Sequence, residues 1–178
     1  MTFLRRWLLA AVLLPALAVA QAPEIGALAV LELRDQYGNP DSLAAHRGAP
    51  VVAVIVTVNR LSMIERWERD LSGHIPGVQF LNVTDLPPDV AVDLERTAAT
   101  LRKRVPAGVR VLMDPTRQWA TVLGLNTDVP NLLVFDASGQ LRQRYRGRWT
   151  AALGTEVAAA VAPLINAPLV AAPQVTVP

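Results

Sequence analysis

Polar side chains follow directly on the most apolar run of this sequence. Val51 to Val58 is a continuous, mostly β-branched run, typical of a strand buried on both faces. Asn59, Arg60 and Ser62 come immediately after it. A polar residue before a helix can cap it, and a helix N-terminus attracts anions. These residues therefore suggest a pocket for an anion or a peptide carboxylate. A helix cap beside a solvated arginine is the simpler interpretation.

Further polar residues are expected at the same edge of the sheet. In parallel α/β sheets, ligand sites lie beyond the carboxyl ends of the strands. Asp85 follows the strand-like stretch Val78 to Val83, and Asp128 stands just before another such stretch. We predict a binding face made of seven residues: Asn59, Arg60, Ser62, Asp85, Asp128, Val129 and Pro130.

The composition excludes several catalytic chemistries. The chain has no cysteine, so thiol catalysis, cysteine-ligated zinc and iron–sulfur clusters are excluded. His46 and His74 are the only histidines. We expect both at the end of the sheet away from Ser62, which leaves that serine without a base. Neither the histidines nor the aspartates have the spacing of a metal site. We predict no metal, no cofactor and no catalytic residue.

Arginines alternate along the last predicted strand, at Arg142, Arg144 and Arg146. Alternation places side chains on one face of a strand. One interpretation is charge that protects a sheet edge from unwanted pairing. The other is docking of an acidic partner, and these three arginines form a second candidate surface.

Strand and helix patterns alternate along the chain and must position these residues. Apolar runs predict strands over residues 28–33, 51–58, 78–83, 109–113, 131–135 and 141–145. Helical spacing of apolar residues predicts helices over residues 62–71, about 89–104, 116–123 and 150–165. Residues 136–140 have the composition of a tight hairpin turn. The order predicts an α/β fold, with a mixed central sheet flanked by helices and an antiparallel hairpin near its C-terminus.

The first twenty residues predict export. Arg5 and Arg6, a short apolar stretch and Ala18-Val19-Ala20 form the pattern of a secretory signal peptide over residues 1–20, cleaved after Ala20. A retained anchor helix is the alternative. A leader over residues 21–27, one domain over 28–165 and a loose Ala/Pro-rich tail over 166–178 would follow. This organisation predicts a periplasmic or secreted protein with no stable membrane anchor after cleavage.

The charge balance gives no sign of a nucleic-acid partner. The chain has 17 Lys and Arg against 15 Asp and Glu. Cleavage would remove Arg5 and Arg6 and leave equal numbers of the two signs. A near-neutral domain has no electrostatic footprint for nucleic acid.

Three segments, together with the final amphipathic helix predicted over residues 150–165, resemble the thioredoxin-like superfamily, in particular exported redoxins of the peroxiredoxin and cytochrome-maturation type. The three segments are LELRDQYGNPDSLAAHRGAPVVAVIV, VLMDPTRQWATVLGL and VPNLLVFDASGQLRQRYRG. The resemblance covers roughly residues 28–165 and implies a three-layer sandwich. It also implies a cis peptide bond before Pro130, which would face the turn after the central strand. In such proteins this face binds extended peptide backbones, a role that residues 126–129 could take here.

The chain departs from the family where the reactive thiols belong. The resemblance places them near Leu61 and Ile64, and neither residue is a cysteine. Disulfide exchange and peroxidase chemistry are therefore not expected. The first hypothesis is a non-catalytic module that binds a periplasmic protein or peptide. The alternative is an accessory subunit of a periplasmic redox or cytochrome-maturation system whose reactive group lies on a partner.

Overall fold

The computed structural model describes residues 25–87 and 93–165. The predicted signal peptide, its cleavage site, the tail and the predicted helix start near Asp89 lie outside the described residues. The strands are β1 (Leu33–Asp35), β2 (Pro40–Asp41), β3 (Val51–Thr57), β4 (Gln79–Asp85), β5 (Leu112–Asp114), β6 (Asn131–Phe135) and β7 (Leu141–Arg146). The α-helices within the described residues are α1 (Ile25–Ala29), α2 (Ser62–His74), α3 (Leu94–Arg104), α4 (Gln118–Leu123) and α5 (Ala151–Ile165).

The strands form one mixed sheet in the order β2-β1-β5-β4-β3-β6-β7. Strands β3, β4 and β5 run parallel to each other. Strand β6 pairs antiparallel with β3, and β7 pairs antiparallel with β6. The carboxyl ends of the parallel strands therefore meet the start of β6 at one edge of the sheet, as the α/β prediction requires.

Apolar side chains form a core on each face of the sheet. All seven residues of β3 are buried, because alternate side chains enter opposite cores. Helices α2, α3 and α5 contribute to the first core. Helices α1 and α4 contribute to the second core. The result is the predicted sandwich of three layers.

The predicted strand over residues 28–33 is wrong. Residues 25–29 form α1, and β1 begins only at Leu33. Leu28 and Ala29 are both buried in the second core. Neighbouring residues of a strand point to opposite faces, whereas a helix can turn two neighbours toward one core.

The strand predicted over residues 109–113 begins later than expected. The main chain at its predicted start hydrogen-bonds to a side chain that is distant in sequence, not to the main chain of a neighbouring strand. Strand β5 spans only Leu112–Asp114. The buried Gln36 amide donates to the carbonyl of Val109 at 2.8 Å and accepts from the N–H of Val111 at 2.9 Å.

Candidate binding site

The turn after β3 separates apolar from polar residues. Val58, Leu61 and Ile64 are buried in the first core, at 7%, 6% and 1% exposure. Asn59 and Arg60 of this turn are exposed, and so is Ser62, the first residue of α2. The N-cap position of α2 is Leu61, and no side chain caps it. Both positions that the resemblance assigns to thiols are therefore part of the core.

The loop before β6 lies against this turn. Arg60 Nε donates to the carbonyl oxygen of Asp128 at 3.2 Å. The N–H of Thr57 donates to the carbonyl of Thr127 at 2.9 Å. The structure thus brings Arg60, Asp128 and Pro130 to the same end of the sheet.

The peptide bond between Val129 and Pro130 is trans. The described residues contain no cis peptide bond, so the predicted cis bond is wrong. The trans form is the ordinary preference of an X–Pro bond. The Asn131 side chain holds the loop in this form, because its Nδ2 donates to the carbonyls of Asn126 at 2.8 Å and Val129 at 3.0 Å.

The carbonyl groups of this loop are engaged within the protein. The acceptors are the consecutive carbonyls of Asn126, Thr127, Asp128, Val129 and Pro130. A peptide that paired with the loop as a strand would compete with these hydrogen bonds. A ligand would therefore contact side chains at this end of the sheet more readily than the main chain of the loop.

An ion pair between the buried Asp85 and the partly exposed Arg117 lies beside the loop. Asp85 ends β4, and its side chain is 4% exposed. Arg117 donates to both of its carboxylate oxygens, from Nε to Oδ1 at 2.8 Å and from Nη2 to Oδ2 at 3.0 Å. The Thr127 hydroxyl donates to Oδ2 at 2.7 Å. The hydrogen bonds to Asp85 raise the pKa of Arg117, and the nearby charges of Asp114 and Asp128 add to this effect.

Arg117 adopts a backbone conformation that is unusual for its residue type. Its φ of 56° and ψ of 32° are left-handed, and it is the only residue other than glycine with positive φ in the described part of the chain. This conformation costs about 1–2 kcal/mol for a residue with a Cβ. The pair with Asp85 helps to hold it, and strain of this kind is concentrated at functional sites.

These groups surround a pocket of about 400 Å³. It is lined by Thr57, Asp85, Pro87, Arg117, Leu125, Asn126, Thr127 and Asp128. The exposed Asp128 carboxylate and Arg117 Nη1 have no partner among the described residues. The pocket can therefore offer a ligand one carboxylate acceptor and the free N–H groups of one guanidinium.

Only some residues of the predicted binding face line this pocket. Asp85 and Asp128 line it, and Arg60 contacts Asp128 from outside. The other predicted residues are at the same edge but do not line the pocket: Asn59, Ser62, Val129 and Pro130. Arg117 and Thr127, which both line the pocket, were not singled out from the sequence. The turn formers Asp114-Pro115-Thr116 just before Arg117 were the available signal.

The arginine row lies on the edge strand β7, away from the pocket lining. Arg142, Arg144 and Arg146 are all exposed. Arg142 Nε donates to Asp136 Oδ2 at 2.6 Å. Arg144 Nη1 donates to the carbonyl of Leu123 at 3.2 Å.

The two histidines make local contacts. His46 contacts Asp41 through Nε2 at 3.0 Å and Gln79, the first residue of β4, through Nδ1 at 2.6 Å. His74 Nδ1 lies 2.6 Å from the carbonyl oxygen of Asp70. The described residues bring together no group of three or more His, Asp or Glu side chains that could hold a metal ion. Within the same ranges, no helix combines the length and apolar character needed to span a bilayer.

Comparison with known proteins identifies the fold. No family model and no curated protein matches the sequence. The fold is similar to the exposed lipoprotein thioredoxin Etrx1 of Streptococcus pneumoniae, with 16% identity, a TM-score of 0.55, and coverage of 72% of this chain and 97% of that one. A secreted Mycobacterium tuberculosis disulfide oxidoreductase homologous to DsbE is similar at 15% identity and a TM-score of 0.54, over 75% and 96% of the two chains.

A third similar structure is of a protein with alkyl peroxide reduction activity. The bacterioferritin comigratory protein of Xanthomonas campestris is 14% identical, with a TM-score of 0.51, over 76% of this chain and 92% of that one. At these identities the likeness establishes the fold. The predicted thioredoxin-like fold is thus confirmed, on a chain without cysteine.

Proposed function

We propose that this protein is an exported thioredoxin-like domain that binds a protein or peptide without thiol chemistry. The ligand site is the pocket between Asp85, Arg117 and Asp128. The observation that carries the proposal is the contrast at one edge of the sheet. Leu61 and Ile64 fill the core where the resemblance places thiols, while a polar pocket lies open nearby.

The pocket suits a segment of polypeptide more than a reacting substrate. Asp85 is fully engaged by Arg117 and Thr127, so it positions its neighbours and has no free oxygen to act as a base. Asp128 and Arg117 keep free hydrogen-bonding groups of opposite charge. A ligand that carries both a donor and an acceptor, as polypeptide ends and polar side chains do, matches this arrangement.

Export is supported by two observations. Residues 1–20 have the composition of a cleavable signal. Two of the similar structures are described as an exposed lipoprotein and as a secreted protein.

Selection from a phage-displayed peptide library on immobilised residues 21–178 tests the proposal. Selected peptides would then be titrated against the wild type and Asp128→Asn, which removes the free carboxylate but keeps its size. We expect binding to weaken about tenfold, because a hydrogen bond to a charged group is lost. Arg104→Gln, an exposed change on α3, is the control and should bind normally.

Two results would contradict the proposal. One is a selection that yields no peptide. The other is a set of peptides that bind wild type and Asp128→Asn equally. Disulfide reduction activity in the purified chain would overturn its non-catalytic part.

A further inference from the structure

Strand β7 leaves a long sheet edge open. It is the last strand of the sheet, and its outer side pairs with no strand in the described part of the chain. The opposite edge is β2, which has only two residues and begins with Pro40. Natural edges are commonly made short or interrupted by proline to prevent pairing. By these two criteria β2 is blunted, whereas β7 has six residues and no proline, and only its charge and one bulge oppose pairing.

The end of β7 nearer the hairpin turn is closed by a bulge. Gln143 pairs with Val134 and Leu141 pairs with Phe135, so Arg142 is an extra residue without a partner in the register. Its guanidinium is neutralised by Asp136. The regular part of the free edge is therefore Gln143–Arg146.

The regular part carries two arginines without a carboxylate partner among the described residues. Arg144 and Arg146 are two residues apart, and both are exposed, so they share one face of the strand. Among the described residues, Arg144 donates a side-chain hydrogen bond only to the Leu123 carbonyl at the end of α4, which orients the guanidinium without cancelling its charge. The edge thus combines unpaired main-chain groups with uncompensated positive charge.

We propose that an acidic, extended polypeptide segment pairs with Gln143–Arg146 as an additional strand. Acidic side chains at every second position of that segment would contact Arg144 and Arg146. Main-chain hydrogen bonds would provide affinity, and the arginines would select the sequence. A second copy of this chain is a poor occupant, because two such edges would place like charges opposite each other.

Strand β7 ends next to the loop that borders the proposed pocket, although this inference does not depend on the pocket. Arg146 pairs with Asn131 at the start of β6. The N–H of Gly147 donates to the carbonyl of Pro130 at 2.9 Å. A segment that follows β7 past Arg146 therefore arrives at the loop that borders the pocket.

The probe is a short synthetic peptide in which glutamate alternates with valine and threonine, compared with the same peptide carrying glutamine instead. Isotope-labelled residues 21–178 would be titrated with each and followed by amide NMR shifts and hydrogen exchange. We expect the glutamate peptide to shift and protect amides of residues 143–146. Binding should weaken as salt is added.

The double variant Arg144→Glu/Arg146→Glu should bind the glutamate peptide about tenfold or more weakly. Arg47→Glu/Arg104→Glu makes the same change in net charge at exposed positions elsewhere and should bind normally. If the charge reversal disturbs folding, Arg144→Gln/Arg146→Gln tests the same contacts without adding negative charge. Equal binding by the edge and control variants would overturn the proposal. So would equal binding of the two peptides, shifts confined to other strands, or no binding at all.

Discussion

Arg117 and Asp85 form a bidentate ion pair at the carboxyl end of strand β4. The Nε–Oδ1 and Nη2–Oδ2 distances are 2.8 and 3.0 Å. Asp85 is almost fully buried at the end of β4, whereas the Arg117 side chain is 46% exposed and lines the pocket. One residue of the pair is therefore anchored in the protein, and the other is presented to solvent in a left-handed backbone conformation.

Removal of this guanidinium should cost stability. In Arg117→Ala the buried Asp85 carboxylate keeps only the Thr127 hydroxyl. We expect the free energy of unfolding to fall by about 2 kcal/mol, as for a buried charged group that loses its partners. Urea denaturation gives the value. Arg60→Ala is the matched control, because Arg60 is exposed and makes one hydrogen bond, and it should lose less than about 0.5 kcal/mol. Equal losses in both variants would contradict the assigned role of the pair.

Cysteines introduced at the two positions that the resemblance assigns to thiols should react slowly with thiol reagents in the folded protein. In Leu61→Cys and Ile64→Cys the thiol enters the first core, where these side chains are 6% and 1% exposed. We expect slow maleimide labelling in native buffer and fast labelling in urea, with about 1–2 kcal/mol lost per variant through the cavity created. Ser62→Cys is exposed between them and should label quickly. Fast native labelling of either buried cysteine would show that the turn opens.

Two helix glycines should respond in opposite directions to alanine. A Cβ at Gly154 of α5 would overlap the ring of Trp149. That ring packs edge-on against Trp67, at a centroid distance of 4.8 Å. Gly154→Ala should therefore lose about 1–3 kcal/mol. A Cβ at Gly73 of α2 would meet no atom outside its own helix backbone within 4 Å, so Gly73→Ala should gain about 0.5 kcal/mol from helix propensity. Thermal unfolding of both variants checks the pair, and a stabilised Gly154→Ala would refute the packing argument.

The fold was predictable where local pattern and tertiary role agree. The β-branched run that forms β3 and the two apolar stretches that form β4 and β6 become strands within one or two residues. The prediction failed at α1, because a short apolar segment fits both a helix and a strand until its packing partners are known. The predicted bounds of β5 were shifted, because the Gln36 side chain that hydrogen-bonds to Val109 and Val111 is remote in sequence.

Of the pocket residues, the sequence predicted only those next to the ends of strands, Asp85 after β4 and Asp128 before β6. Asp85 was found because polar residues after a buried strand gather at the ligand edge of an α/β sheet. Arg117 was missed because its role depends on a left-handed conformation that favours glycine or asparagine over arginine. The proline isomer expected from the resemblance was wrong. In the structure the Asn131 amide donates to the carbonyls of Asn126 and Val129, beside the trans bond.

The buried Asp35 carboxylate should make the protein sensitive to acid. Burial raises its pKa, but hydrogen bonds from Arg110, Asn39 and the N–H of Tyr37 outweigh burial, so the net pKa is lowered. A lowered folded-state pKa gives stability that is present above the ordinary aspartate pKa and lost as pH falls through the folded value. Asp35→Asn should cost about 1–3 kcal/mol near neutral pH. The cost should shrink as the pH falls below the ordinary aspartate pKa. A cost independent of pH would contradict this account.

The contribution of Glu68 to stability should depend on pH in the opposite direction to that of Asp35. Burial between α2 and β4 raises its pKa, although Asn82 Nδ2 donates to Oε2 at 3.2 Å and partly opposes the rise. With a raised folded-state pKa, the stability contributed by the protonated form is fully present below the ordinary glutamate pKa. It is lost as pH rises through the folded value. Glu68→Gln keeps an acceptor for Asn82 and removes the buried charge. We therefore expect the variant to be more stable than wild type near neutral pH, with a gain that disappears in acid. Glu65→Gln, on the exposed side of the same helix, should show no such gain. A Glu68→Gln variant that is less stable at neutral pH would mean that the ionised carboxylate is needed there.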